Sequence, residues 1–303
     1  MSSLVPIACL VTLTGLALGG FTSNAFIIAV IVTEWAKSRS LNSSALLLLS
    51  LGMSNICCTA SLGACTFDSL FQPIFSTLTT AQALYTFWNI AMLSRFWFTA
   101  WLCVFYCIKI VNSTHSLSLW CKQRISWLLP WILLASAAIS ILASVFAVHL
   151  VPVHLQNNTS TVNITDMGRE ELEIKILPSF ITFFLVIGSS CPLLVVLLGS
   201  IVTVASLYRH VCQMRGKEFS FRDPQTEAHF KAAGTVLSLL FLYLSFYIAQ
   251  VLVSMTRMKE NKIANFVCAM VIMGYSLAQA AILVWVNPKL KQAIPRMLPG
   301  RKP

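Results

Sequence analysis

Seven separate apolar runs, each long enough to cross a lipid bilayer, constrain this 303-residue chain more than any other feature. A helix rises about 1.5 Å per residue, so roughly 20 apolar residues span the hydrocarbon. Such runs lie at about 4–32, 45–70, 81–110, 125–151, 176–206, 230–256 and 263–286. Without water to pair with, backbone N–H and C=O groups in lipid must be satisfied inside each segment, which makes each run a helix. Short connections predict one membrane domain over 1–303 and no soluble one. The charge content agrees, at 10% against about 25% in soluble domains. The expected class is an all-α membrane protein, a seven-transmembrane-helix bundle.

Basic residues orient the bundle. With the N-terminus outside, inner segments carry Lys37, Arg39, Lys109, Lys122, Arg124, Arg209, Arg215, Lys217, Arg222, Lys231, Lys289, Lys291, Arg296, Arg301 and Lys302. Outer ones carry Arg169, Lys175, Arg257, Lys259 and Lys262. A split of 15 to 5 favours N-out, C-in. The net charge of +11 therefore reads as topology and contact with anionic lipid, with no nucleic-acid partner. No basic residue precedes the first span and its run is too long for a signal-peptide core, so it reads as retained. The halves show no convincing internal repeat, which weakens an inverted-repeat transporter.

Acceptor sequons at Asn157, Asn158 and Asn163 crowd the loop between spans four and five, fitting a glycosylated outer face. Chance matches at Asn42 and Asn112 on the opposite side keep the bland alternative open. Ten cysteines form no CxxC, and the outer loops hold none. They read as small lipid- or core-facing residues, with no metal or cofactor expected.

Local motifs narrow the class. WFTAWLCVFYCIKI (97–110) closes span three and runs into VNSTHSLSLWCKQRI. SLYRHVCQM (206–214) leaves span five, DPQTEAHFKA (223–232) precedes span six, LFLYLSFY (240–247) lies within it, and NPKLKQ (287–292) follows span seven. With Asn24 in span one and the EW…KSRSLNS first inner loop, these resemble the type 2 taste receptors, the vertebrate bitter receptors. The likeness covers nearly the whole chain, with five motifs in order at the expected membrane faces.

That resemblance implies a G-protein-coupled receptor of the plasma membrane, binding small, mostly apolar bitter compounds and activating a gustducin-type, Gi-like heterotrimeric G protein. It implies a pocket in the outer half of the bundle, for which Tyr85, Trp88, Asn89, Met92, Phe246, Tyr247 and Gln250 are the candidates. Trp88, Met92, Arg95 and Thr99 share one helical face by spacing, with Asn89 beside them. Packing or an interfacial tryptophan is the alternative for Trp88.

Coupling candidates implied by the resemblance are Tyr106 and Lys109 of FYxxKI, His210 and Met214 below span five, Tyr243 in span six, and Lys289 after Asn287-Pro288. Lys109 also suits plain anchoring, its stem along lipid and its ammonium at the headgroups. His210 with His229 lacks a third metal ligand. The Asn-Pro pair marks a bend or stop, and Lys289 and Lys291 favour an amphipathic segment on the inner leaflet.

Arg95 is the sharpest anomaly. A guanidinium near mid-membrane costs ~2.5 kcal/mol or more unless paired or wet. The family usually carries an arginine in span two where this chain has Asn55. The expectation is that the charge has moved to span three, with Asn55 as its hydrogen-bond partner and Asn24 nearby. Water in the ligand cavity is the alternative, and Asp68 lies too near the outer surface to pair. Met92, Ala269 and Gln279 depart from residues common in the family, bearing on ligand class. No nucleophile–base–acid set or phosphate-cradling loop marks an enzyme. A vomeronasal type 1 pheromone receptor, or less readily a transporter or channel, is the competing reading.

Overall fold

A computed structural model describes residues 4–71, 78–110, 116–147, 166–214, 224–254 and 262–297. Among them are eight helices: α1 (Leu4–Ser38), α2 (Ser43–Phe71), α3 (Leu78–Ile110), α4 (Ser116–Val145), α5 (Asp166–Met214), α6 (Pro224–Ser254), α7 (Lys262–Val286) and α8 (Pro288–Met297). The first seven are long and apolar enough to cross a membrane. Over the described residues each predicted span falls on one of them; 148–151 and 255–256, at the ends of the fourth and sixth spans, lie outside those residues. The helix ends differ from the apolar runs because hydrogen bonding continues past the oily segment. Thus α5 starts ten residues before its predicted span and ends eight after it.

Helix α3 forms the axle, touching α2, α4, α5 and α6. In its apolar window 67% is buried, against 28% for α1, α4 and α5. Their uncovered sides carry large apolar groups such as Trp127, Trp131, Leu142, Leu198 and Ile201. In water that would be a liability; against lipid it is the expected surface. The buried interior runs through Leu47, Leu51, Met92, Phe96, Leu102, Val196, Leu239, Tyr243, Phe246 and Leu283.

Close approach sets the α1–α7 contact. A methyl on Gly20 would stand 3.2 Å from the Ser276 Cβ. That proximity lets Asn24, one turn on, donate from Nδ2 to the Ser276 carbonyl at 3.2 Å. Helix α1 ends on Arg39, in the left-handed region at φ 54°, whose N–H bonds the Trp35 carbonyl at 2.8 Å.

The Asn287-Pro288 pair acts as expected. Asn287 lies outside both helices, and its Oδ1 accepts from the Lys289 N–H at 3.0 Å. It is a side-chain cap followed by proline at the first helical position. Helix α8 then buries Leu290 and exposes Lys289 and Lys291.

Candidate functional site

Two connected clusters occupy the middle of the bundle. The first is a polar hub. Asn55 of α2 donates from Nδ2 to both Asn24 Oδ1 (3.0 Å) and Gln279 Oε1 (2.9 Å). Gln279 of α7 donates from Nε2 to Thr99 Oγ1 of α3 at 2.9 Å and to the Tyr275 hydroxyl at 3.3 Å. Asn24, Asn55, Thr99 and Gln279 are all fully buried. In such a medium unpaired amides are costly, so complementary amides from three helices hold one another in register.

The second cluster is aromatic. Phe96 of α3 stacks on Tyr243 of α6, with centroids 4.7 Å apart and planes 7° apart. Phe246 and Tyr275 approach it edge-on at 5.2 and 6.5 Å. The Tyr243 hydroxyl donates to the Ser189 carbonyl of α5 at 2.9 Å, and Tyr247 shares a 3.0 Å hydrogen bond with Ser190. This cluster ties α3, α5, α6 and α7 together.

Arg95 sits between the two clusters at 1% exposure. Its Nη1 reaches Ser276 Oγ at 3.4 Å, a long contact, and its Nη2 the Met92 sulfur at 2.8 Å. The guanidinium carbon lies 4.2 Å from the Tyr275 ring centroid, 4.9 Å from Phe246 and 5.3 Å from Phe96. These faces supply cation–π attraction, which strengthens on desolvation. The expected Arg95–Asn55 hydrogen bond is not formed: only the Asn55 Oδ1 could accept from a guanidinium, that oxygen has no partner among the described residues, and Arg95 turns instead toward Ser276 and the rings. The side chain is also not in contact with open water, as its burial shows.

Above Arg95 a narrow crevice lies between α2, α3 and α7, lined by Cys58, Thr59, Leu62, Trp88, Met92, Arg95, Ile272, Met273 and Ser276. It admits about 10 Å³, room for about one water. The predicted face is present: Trp88, Met92 and Arg95 all line the crevice, and Thr99 continues below into the hub.

The seven predicted pocket residues do not converge on this crevice. Trp88 and Met92 line it, and Tyr85 stands edge-on to Trp88 at 6.5 Å. Phe246 belongs to the aromatic cluster, Tyr247 pairs with Ser190, and Gln250 is buried on α6. Asn89 is fully buried with both amide atoms unpaired. It stands one turn before Leu93, whose side chain meets Gly188 of α5, away from the crevice.

Toward the α8 end, Lys109 is exposed, its Nζ 4.5 Å from the Phe105 ring centroid, and Tyr106 is half-buried against Phe105. Lys109 borders an open cleft of about 320 Å³ with Asn42, Ser43, Ser44, Ile108, Ile125 and Ser126. Lys289 pairs with Glu34 of α1 at 3.0 Å. The side chains of His210, Met214 and Asp68 lie outside the described residues, as do Asn157, Asn158 and Asn163.

Spacing had not singled out Tyr275, Ser276, Thr59 or Phe96. Two signals were available: Ser276 and Gln279 three apart on α7, and Asn55 and Thr59 four apart on α2. Polar residues at helical spacing inside an apolar run mark a face turned to the bundle interior.

A seven-helix bundle with a buried polar hub, one embedded arginine and a short helix after the last span defines a membrane receptor of the G-protein-coupled class. The family model described as Taste receptor protein (TAS2R) matches residues 1–302. Taste receptor type 2 member 8 of Pongo pygmaeus is 32% identical over 300 residues, 95% of this chain and 94% of that receptor. Taste receptor type 2 member 40 of Gallus gallus is 30% identical over 304 residues, 98% and 96% of the two chains. Taste receptor type 2 member 8 of Homo sapiens is 30% identical over 304 residues, 97% and 96%. The chain belongs to this taste receptor family. It is a bitter taste G-protein-coupled receptor and a multi-pass plasma-membrane protein, taking small-molecule ligands and coupling to a G protein; it is not an enzyme, and the vomeronasal alternative is not favoured.

Proposed function

We propose that residues 1–303 form one receptor domain, N-terminus outside and C-terminus inside, in which the Trp88–Met92–Arg95 crevice is the floor of the ligand pocket. Small, mostly apolar compounds enter from the end opposite α8 and rest on Trp88 beside Tyr85; Asn89, Phe246, Tyr247 and Gln250, which do not line the crevice as it stands, join the wall when it widens. The observation that carries this reading is the crevice itself. Trp88 and the buried Arg95 line it together, and Arg95 also contacts Phe246 and Tyr275, which supports the reading. A ligand that displaces Trp88 or Met92 alters what surrounds Arg95, and through it the α6–α7 contact. The crevice admits about one water, so a ligand binds by widening it, favouring a second arrangement of the helices.

Signal then passes along Arg95, Asn55 and Tyr243 to Tyr106, Lys109, His210, Met214 and Lys289 at the inner face, where a gustducin-type, Gi-like G protein docks. Anionic lipid meets the basic residues of α8, and Asn157, Asn158 and Asn163 carry glycans outside. The 15-to-5 basic asymmetry supports this orientation.

The test is a calcium-release assay in cells co-expressing a taste-type G-protein α subunit, challenged with a panel of bitter compounds. The expected result is G-protein-dependent responses that weaken at least about tenfold in potency in Trp88→Ala, the scale of one lost aromatic contact. Responses of unchanged potency in Trp88→Ala, at equal surface expression, overturn the pocket.

A further inference from the structure

We propose that the crevice between α2, α3 and α7 binds a small monovalent anion, of about the size of chloride, held against the Arg95 guanidinium. The site is rich in donors and poor in acceptors. Arg95 Nε is buried with no hydrogen-bond partner, and so is the indole Nε1 of Trp88, which lines the same crevice. The two terminal nitrogens reach only a hydroxyl at 3.4 Å and a thioether sulfur, a weak acceptor. Thr59 and Ser276 add two hydroxyls 3.2 Å apart on the crevice wall. Around a full positive charge the described groups are therefore rings, hydroxyls and sulfur, with no negative charge among them.

Among the described residues no carboxylate supplies it. The described one, Glu34, pairs with Lys289 at 3.0 Å near α8. Asp68 follows Thr59 by nine residues on α2, about 13.5 Å farther along the helix axis at about 1.5 Å per residue. A buried charge without a counter-ion is among the least favourable arrangements a protein interior can hold. An anion resting on Arg95 would accept charge-assisted hydrogen bonds from the guanidinium, from the Ser276 hydroxyl and, once it turns from the Asn55 carbonyl it bonds at 2.8 Å, from the Thr59 hydroxyl. At about 10 Å³ the crevice has room for about one water, so a chloride ion takes that place with a small outward shift of the wall, far less than an organic anion requires. Because its partners come from three helices, the ion stabilises this arrangement of α2, α3 and α7 over one in which they separate. The inference shares Trp88 with the ligand reading and does not rest on it.

The test is thermal unfolding of the purified full-length receptor in lipid nanodiscs, without agonist or G protein, in sodium chloride against sodium gluconate at about 0.15 M. Chloride and bromide should raise Tm saturably by roughly 5 °C, as for an ion about 100-fold above its Kd. The rise should vanish in Arg95→Gln and shrink in Thr59→Val/Ser276→Ala, which keeps the charge and removes the hydroxyls. Equal Tm in chloride and gluconate overturns the proposal, as does the same chloride rise in Arg95→Gln. If Arg95→Gln does not fold, an undiminished rise in the double variant overturns it. Halide-insensitive unfolding combined with Arg95-dependent stabilisation by benzoate assigns the guanidinium to an organic carboxylate and also overturns it. Unchanged tastant potency in Trp88→Ala overturns the ligand reading without touching the chloride shift of the unaltered receptor, and equal Tm in chloride and gluconate overturns the anion site without touching tastant potency, so the two readings fail separately.

Discussion

Asn55 on α2 and Gln279 on α7 are joined amide to amide across the bundle, Nδ2 to Oε1 at 2.9 Å, with both side chains fully buried. The bond is the centre of a chain that starts at Asn24 on α1 and ends at Thr99 on α3, so it indexes four helices at one depth.

Gln279→Leu removes that centre. Asn55 keeps Asn24, and the Thr99 hydroxyl keeps its bond to the Arg95 carbonyl, so neither is wholly stranded. The expected cost is about 1–3 kcal/mol, near that of a lost buried partner and above the ~0.6 kcal/mol average for interhelical hydrogen bonds in membranes. Thermal unfolding of purified receptor measures it. Asn55→Leu with Gln279→Leu should cost less than the two single changes summed, because the second removes a group already orphaned. Strict additivity would show that the bond contributes no coupling.

Tyr243→Phe isolates one contact of the aromatic cluster. The ring stack on Phe96 survives, and only the hydroxyl donation to the Ser189 carbonyl is lost. Stability should fall by under about 1 kcal/mol. Tyr243→Ala also empties a fully buried ring site and should cost about 3–5 kcal/mol. A large drop in signalling with Tyr243→Phe, at unchanged Tm, would place the α5–α6 hydrogen bond in activation.

The sequence carries the bundle more openly than the site. Helices α1 to α7 follow from run length alone, since lipid leaves the backbone no other choice. The Trp88–Met92–Arg95–Thr99 face also follows, because residues three and four apart must share a side of α3. What Arg95 touches does not follow. Its partners sit on α6 and α7, and their rotation about their axes is set by packing that local spacing does not encode. Tyr275 looks like one more aromatic in an apolar run, yet its ring lies 4.2 Å from the guanidinium carbon. Ser276 and Thr59 are hidden for another reason. Hydroxyls in helices usually bond their own backbone, as Thr59 does with the Asn55 carbonyl at 2.8 Å. The Arg95–Asn55 pairing rests on the premise that a displaced charge keeps its old neighbour; instead the Asn55 Oδ1, the atom that could accept from the guanidinium, stays unpaired among the described residues while Arg95 turns to the α6 and α7 rings.

Lys289→Ala separates structure from signalling at the α8 end. The Lys289–Glu34 pair is 3.0 Å long, but its side chains are 61% and 45% exposed. An exposed pair contributes about 0–1 kcal/mol and is screened by salt. Thermal stability should therefore change by less than about 1 kcal/mol. If agonist-driven calcium release nonetheless falls while surface expression holds, Lys289 acts at the G-protein face. If both stay level, Lys289 is no more than a solvated end of α8.

A charge-swap series tests whether the bundle core tolerates one guanidinium or two. Asn55→Arg puts a second cation on α2, beside Thr59 and Gln279 and one side-chain link from Ser276, which already contacts Arg95. Two like charges in a medium of low dielectric repel strongly, and no described carboxylate is placed to separate them. Asn55→Arg alone should therefore lose surface expression. Arg95→Ser alone removes the charge together with its contacts to Phe96, Phe246 and Tyr275. Its stability without halide should be near wild type, since deleting a buried charge removes a desolvation cost along with the attraction. The double variant Asn55→Arg/Arg95→Ser holds one cation again, now on α2, and should recover expression relative to Asn55→Arg. Flow cytometry of tagged receptor reads all three. If the double variant expresses no better than Asn55→Arg, repulsion is not what limits the single change, and the cost lies in crowding the amide hub.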